Sequence, residues 1–207
     1  MKNYTKVVLL IDTSTSMGDW REEAQKGIDI FIKGQAEDEC ETELTIVDFN
    51  TTVDVKVDSM KLSKNIFPSY KLQPRGSTAL YDAICKTINE TGEKLSSLNE
   101  NDRPNKVVFV IMTDGDENSS RFYNRQAAKD SITHQEQKYN WKFIYLGANQ
   151  DAFQVGNAVG FNPIRTSNYS VEKFSNAMIA TNNSMARYKR GISDLTYTNE
   201  EKESMNG

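Results

Sequence analysis

Three short apolar runs, Val7–Ile11, Val107–Met112 and Phe143–Leu146, constrain this chain more than any other feature. They are rich in branched and aromatic residues, are not interrupted by polar positions, and lie far apart in sequence. Continuous runs of this length suit strands buried on both faces of a parallel sheet. Between them lie stretches with helical spacing. Ala24, Ile28, Phe31 and Ile32 share one face of a helix expected from about Trp20 to Lys33. Leu80, Ile84, Ile88, Leu95 and Leu98 mark a second, from about Ala79 to Leu98, and a third with a weak apolar stripe runs from about Arg125 to Lys138. Strands alternating with helices in this way build a three-layer α/β domain, with helices on both faces of the sheet.

One segment has a different period. Leu44–Phe49 and Val53–Val57 alternate apolar and polar residues around Asn50, Thr51 and Thr52, the pattern of a hairpin. It adds one antiparallel edge hairpin to a mostly parallel central sheet. Beyond Leu146 the expected elements are a short helix near Asp151–Val159, a short strand near Ile164–Thr166 and a helix from about Val171 to Tyr188. The buried stripe of that last helix is expected to be Phe174, Met178, Ile179, Met185 and Tyr188. Residues 1–192 therefore read as a single domain, and 193–207 as a polar, flexible tail without period.

Composition excludes several functions. The 25 Lys and Arg against 29 Asp and Glu give a net charge of -4, the wrong sign for a dedicated nucleic-acid binder. A single histidine, His134, excludes a His-rich zinc site. Cys40 and Cys85 are too few and too distant for a metal knuckle or a disulfide framework, and they read as inert thiols. No apolar run is long enough to span a membrane, and Val7–Ile11 is too short for a secretion signal, so a cytoplasmic location is expected.

Ligands of open α/β sheets bind beyond the carboxyl ends of the strands. The first run ends in Asp12-Thr13-Ser14-Thr15-Ser16 and the central one in Thr113-Asp114-Gly115-Asp116-Glu117-Asn118. Two carboxylates, Asp12 and Asp114, thus emerge at one edge of the sheet beside the alternate hydroxyls of Ser14 and Ser16. Pro74-Arg75-Gly76-Ser77-Thr78 opens the second helix and offers a further hydroxyl. Oxygen-only ligands suit a hard divalent cation, above all Mg²⁺. Each segment alone reads equally as helix capping or turn chemistry; their agreement across distant positions is what points to a metal.

Asp12-x-Ser14-x-Ser16, Gly76-Ser77-Thr78-Ala79-Leu80-Tyr81-Asp82-Ala83-Ile84 and Thr113-Asp114-Gly115, in this order, resemble the metal-ion-dependent adhesion site of the von Willebrand factor A (VWA) domain family. Asp48-Phe49-Asn50 also resembles that family, and the likeness covers about residues 6–147. The resemblance implies a Rossmann-like fold. It also implies direct metal ligation by Ser14 and Ser16, and ligation by Thr78 directly or through water. Asp12 and Asp114 would act mostly through water and orient the serine hydroxyls. The cation would be Mg²⁺, with Mn²⁺ as an alternative, and one coordination position would stay open for an Asp or Glu carboxylate of a protein partner. Neutral hydroxyl ligands leave the cation's charge largely uncancelled, which favours such a carboxylate on physical grounds as well. The chain is most similar to stand-alone cytoplasmic members found in bacteria and their phages.

The remaining positions have ordinary readings beside functional ones. Asp19 is expected to cap or enter the first helix, against a role in a second metal site. Asp116 and Glu117 read as solvated loop acids, and Asp82 as a first-turn acid of its helix. Asn149 or Asp151 reads as a helix cap, with a partner-specificity loop as the alternative. Phe122 and Tyr123 fit contact area beside the metal and core packing equally well. Two other functions stay open. One is a Mg²⁺-dependent phosphoryl-transfer or hydrolytic enzyme on the same carboxylates, which lacks the inner-sphere carboxylates of two-metal chemistry. The other is a scaffold whose metal site has lost its function.

Overall fold

The computed structural model describes residues 4–148 and 152–206. Its strands are β1 (Thr5–Asp12), β2 (Thr42–Phe49), β3 (Val53–Lys61), β4 (Lys106–Thr113), β5 (Lys142–Ala148) and β6 (Thr166–Tyr169). The helices are α1 (Arg21–Glu37), α2 (Leu80–Ser97), α3 (Arg125–Tyr139), α4 (Ala152–Val159), α5 (Phe174–Lys189) and α6 (Asn199–Asn206). The strands form one sheet in the order β3-β2-β1-β4-β5-β6, parallel throughout except for the β2–β3 hairpin at its edge. No helix among the described residues is long and apolar enough to cross a membrane.

The continuous apolar runs feed two cores at once. Val7, Leu9 and Ile11 of β1, with Val108, Val110 and Met112 of β4, pack beneath α1 and α5. Val8 and Leu10, with Phe109 and Ile111, pack against α2 and α3 on the other face. This is the expected three-layer, Rossmann-like arrangement. α1 and α5 approach so closely that a Cβ on Gly27 would collide with the Phe174 ring, and one on Gly34 with the Asn182 amide.

Strand order fixes where a ligand can sit. Successive strands build outward from β1 in one direction and from β4 in the other, so the order reverses between them. The crevice beyond the carboxyl ends of such a pair is where open α/β sheets bind ligands. Asp12 closes β1, and Asp114 follows the last residue of β4. Residues 62–79 form a long strap over α1 that leads to the same crevice. Tyr70 and Leu72 anchor it in the core, with the Tyr70 hydroxyl donating to Asp48 (2.6 Å) and the Leu72 amide to Gln25 (2.7 Å).

The structure departs from expectation in the last third. The strand expected at Ile164–Thr166 runs over Thr166–Tyr169 instead, because Pro163–Arg165 form a 3₁₀ turn capped by Asn162, whose side chain accepts from the Ile164 amide. Ile179, expected in the buried stripe of α5, is 46% exposed.

Residues 193–207 were expected to be a loose tail, yet Leu195, Tyr197 and Met205 are buried in the core beneath α5, and α6 docks there. A reciprocal capping box starts that helix. The Glu201 amide donates to the Thr198 hydroxyl (3.2 Å), and the Thr198 amide donates back to the Glu201 carboxylate (2.8 Å). Arg187 of α5 clamps the same carboxylate through two hydrogen bonds of 2.8 and 2.7 Å.

Leu195 holds a left-handed backbone (φ 52°), a strained state for a branched residue, with its side chain fully buried. Leu195→Ala should therefore lower the unfolding free energy by about 2–4 kcal/mol, measured by denaturant titration. A negligible change would show that the C-terminal segment contributes nothing to the core.

Candidate metal centre

The site begins with a carboxylate that must be satisfied internally. Asp12 is 0% exposed at the end of the central strand. One of its oxygens accepts from the Thr113 hydroxyl at the end of β4 (2.6 Å), and the other from the Ser14 amide (2.7 Å). Burial nevertheless pushes its pKa up to about 6, with the nearby Asp114 carboxylate adding to the shift and these hydrogen bonds opposing it. The second bond folds the chain after β1 into a tight turn, so that Ser14 and Ser16 stand side by side with their hydroxyl oxygens 3.1 Å apart.

Ser16 then donates to Asp114 across the crevice (2.7 Å), and the Trp20 indole donates to the other oxygen of that carboxylate (2.8 Å). Thr78 arrives from the strap. Its amide donates to the Asn118 side chain (2.9 Å), and its carbonyl accepts from the Asn118 and Ser119 amides. A Cβ placed on Gly115 would lie 3.6 Å from the Thr78 hydroxyl oxygen and 3.7 Å from that of Ser16. Gly115 therefore leaves open a small space bounded by these two hydroxyls. Asp12, Ser14, Ser16, Thr78 and Asp114 are thus brought together at one crevice from three distant segments.

The backbone between those segments is pinned as well. The Thr13 amide donates to the Phe49 carbonyl (2.7 Å), the Arg75 amide to the Thr13 carbonyl (2.7 Å) and the Thr15 amide to the Gly76 carbonyl (3.0 Å). Asn50 bridges the Thr13 hydroxyl (2.9 Å) and the Ala79 amide, which donates to its carbonyl (2.8 Å). Gly76 has φ 74°, the left-handed conformation that lets the strap turn beneath the first loop.

Several contributors carry no sequence signal of their role. Trp20 reads as the start of α1, yet its indole reaches a carboxylate 94 positions away. Thr113 stands in the Thr113-Asp114-Gly115 segment, and its hydroxyl holds Asp12 from 101 positions away. Tyr169, at the end of β6, packs on Trp20 and Phe174 with ring centroids 6.0 and 4.9 Å away. Its buried hydroxyl has no hydrogen-bond partner among the described residues, and its pKa is raised by burial and by the nearby Asp114 and Asp12 charges.

Other expectations resolve plainly. Asp19 closes a 3₁₀ turn ahead of α1 rather than entering the helix. His134 is exposed on α3, edge-on to Tyr139. Asn149, Gln150 and Asp151 lie outside the described residues. No group of three or more His, Cys, Asp or Glu side chains able to hold a metal forms among the described residues.

A model of the von Willebrand factor type A domain matches residues 6–183, a span that contains every residue of this crevice. The chain belongs to that family. Solved VWA structures share the fold at low identity. Proximal thread matrix protein 1 from the mussel byssus, with a zinc-occupied MIDAS motif, matches with a TM-score of 0.66 at 12% identity, over 94% of this chain and 48% of that one. The von Willebrand factor type A protein of Catenulispora acidiphila matches with a TM-score of 0.61 at 13% identity, covering 92% and 44%. Manganese-loaded TRAP protein of Plasmodium vivax matches with a TM-score of 0.60 at 16% identity, covering 86% and 72%. The VWA chain spans about half the length of the first two. No curated protein matches it significantly.

The buried acid of this VWA crevice depends on its two donors. Thr113→Val keeps the side-chain shape but removes the hydroxyl, leaving Asp12 half-satisfied. We expect a loss of about 1–3 kcal/mol in urea unfolding without divalent metal, and unchanged stability would show that this hydrogen bond does not hold the site.

Proposed function

We propose that this VWA domain is a Mg²⁺-dependent protein-binding module that recognises an acidic side chain of a partner. The observation that supports the reading is the cluster in which Asp12 holds the Ser14 amide, Ser14 lies beside Ser16, Ser16 reaches Asp114, and the Ser16 and Thr78 hydroxyls both flank Gly115. The donor set fits a small, hard cation: every candidate ligand is an oxygen, and the space is bounded by hydroxyls rather than filled by a side chain. In this reading Ser14, Ser16 and Thr78 hold the metal, while Asp12 and Asp114 orient those hydroxyls and act through water. The bound cation supplies a Lewis-acidic position, open to a carboxylate because neutral ligands leave its charge exposed. Mn²⁺ fits the same oxygen set.

The fixed hydrogen-bond pattern supports binding rather than covalent chemistry. Asp12 is spent on the Thr113 hydroxyl and the Ser14 amide, and Asp114 on the Ser16 hydroxyl and the Trp20 indole. His134, the sole histidine, lines a hollow with Asn105, Val107 and Trp141, at the opposite ends of β4 and β5 from the crevice. It is therefore out of reach as a base for Ser14 or Ser16.

Metal binding to the folded state must raise its stability. At a hundredfold excess over its Kd, Mg²⁺ should add about 2.7 kcal/mol, a rise of roughly 5–10 °C in Tm for a chain of this size. Ser16→Ala, at an exposed position, and Gly115→Val, which fills the space, should keep the metal-free Tm near wild type and lose the shift. A saturating titration that leaves the wild-type Tm unmoved would contradict the proposal.

A further inference from the structure

In the reading above Asp114 acts on the cation through water, and something must keep it from binding directly. Asp12 is fully buried, but Asp114 is only partly so. A carboxylate oxygen is a ligand that Mg²⁺ readily takes from a protein, so an acid beside the metal enters its inner shell unless both oxygens are held elsewhere. Two neutral donors hold them here. The Ser16 hydroxyl donates to Oδ1 (2.7 Å) and the Trp20 indole to Oδ2 (2.8 Å). The first bond belongs to the site itself: a hydroxyl that offers a lone pair to a cation must turn its proton elsewhere, and Asp114 receives it. The indole is the donor that comes from outside the set of proposed ligands.

That indole is itself fixed. Trp20 stands at the start of α1, where its carbonyl accepts from the Ala24 amide (3.0 Å), and its side chain is buried. Its ring meets Phe174, the first residue of α5, edge-on at 5.2 Å and 80°, and Tyr169 at the end of β6 at 6.0 Å. Those two rings pack on each other at 4.9 Å. The Ser175 hydroxyl donates to Glu23 of α1 (2.5 Å), which ties the start of α5 to the helix that Trp20 opens. Three rings from three distant parts of the chain thus set the direction of the indole N–H, and the N–H sets how the Asp114 carboxylate is turned. The packing asks for an aromatic ring at position 20; only the hydrogen bond asks for a nitrogen in it.

We propose that Trp20 is a positioning residue of the metal site: its indole N–H keeps Asp114 turned towards Ser16 and out of the cation's inner shell. Without that donor the freed oxygen swings to the metal and cancels part of the charge that attracts a partner's carboxylate. The inference rests on the metal-dependent reading above and deepens it by naming the residue that keeps the site open. Asp12 needs no such guard, because the Thr113 hydroxyl and the Ser14 amide already hold its two oxygens inside the fold.

Trp20→Phe keeps a ring against Phe174 and Tyr169 and removes the donor. Trp20→Met, donor-free and adaptable in shape, repeats the test with different packing. Crystals of wild type and variants grown in MnCl₂ locate Asp114, and the electron paramagnetic resonance signal of free Mn²⁺ gives the affinity of the full chain in solution. Wild type should keep a water between Asp114 and the metal. In the variants a carboxylate oxygen of Asp114 should move to about 2 Å from it, and Mn²⁺ should bind roughly threefold tighter or more, because an anionic ligand has joined the shell. Both readouts are taken on folded protein, so a lower metal-free Tm from the smaller side chain does not enter them. A merely structural Trp20 would lower that Tm and leave the position of Asp114 and the affinity as they are. The inference is overturned if Asp114 stays outside the shell in Trp20→Phe, if the variants bind Mn²⁺ no more tightly than wild type, or if Asp114 already binds the metal directly in wild type. Wild type that takes up no Mn²⁺ in the crevice would instead overturn the metal reading, and this inference with it.

Discussion

At the end of the central strand sits a buried carboxylate whose two oxygens accept hydrogen bonds from groups in different parts of the chain. An unpaired charge in that position would cost several kcal/mol, so the chain must bring the end of β4 and the turn after β1 to Asp12 together. Once it has, little is left free. The turn sets Ser14 beside Ser16, Ser16 reaches Asp114, and Trp20 fixes the other side of Asp114. The order reversal between β1 and β4 opens the crevice, and the Asp12 hydrogen bonds decide which side chains line it.

Much of this architecture was legible because burial on both faces leaves an unambiguous mark. The runs at Val7–Ile11, Val107–Met112 and Phe143–Leu146 lie within β1, β4 and β5, since few other environments accept four to six branched or aromatic residues in succession. The alternation around Asn50–Thr52 gave the antiparallel edge for the same reason: one face of β3 meets solvent. β6 was misplaced because Thr166-Ser167-Asn168-Tyr169 lacks an apolar pattern and pairs with β5 by backbone alone over a short span. Ile179 followed helical spacing but lies half-exposed at the rim of the groove between α1 and α5, beside Ile30 and Lys33. The end of the chain was misread because its anchors, Leu195, Tyr197 and Met205, are too widely spaced to form a periodic stripe. The Thr198-Asn199-Glu200-Glu201 capping box was the available signal.

The crevice divides along the same line. Asp12, Ser14, Ser16, Thr78 and Asp114, which stand in the segments that resemble the family's motif, lie together at the crevice. Two of the residues that hold them stand outside those segments. Trp20 and Asn118 act through contacts that close loops of dozens of residues, and nothing local distinguishes them from helix and turn residues of the same type. The rim adds a further layer. Glu117 read as a solvated loop acid and Asp82 as a first-turn acid of α2, where it does lie; the fold also uses both to pin the loop after Asp114.

Growing crystals in MnCl₂ and locating the metal by its anomalous signal would examine the central claim most directly. The account predicts one strong peak in the crevice, within coordination distance of the Ser14 and Ser16 hydroxyl oxygens, with the Mg²⁺ form refining to about 2.1 Å from them. A saturated crystal in which the metal lies elsewhere, or in which Ser14 and Ser16 keep their hydroxyls turned away from it, would contradict the account.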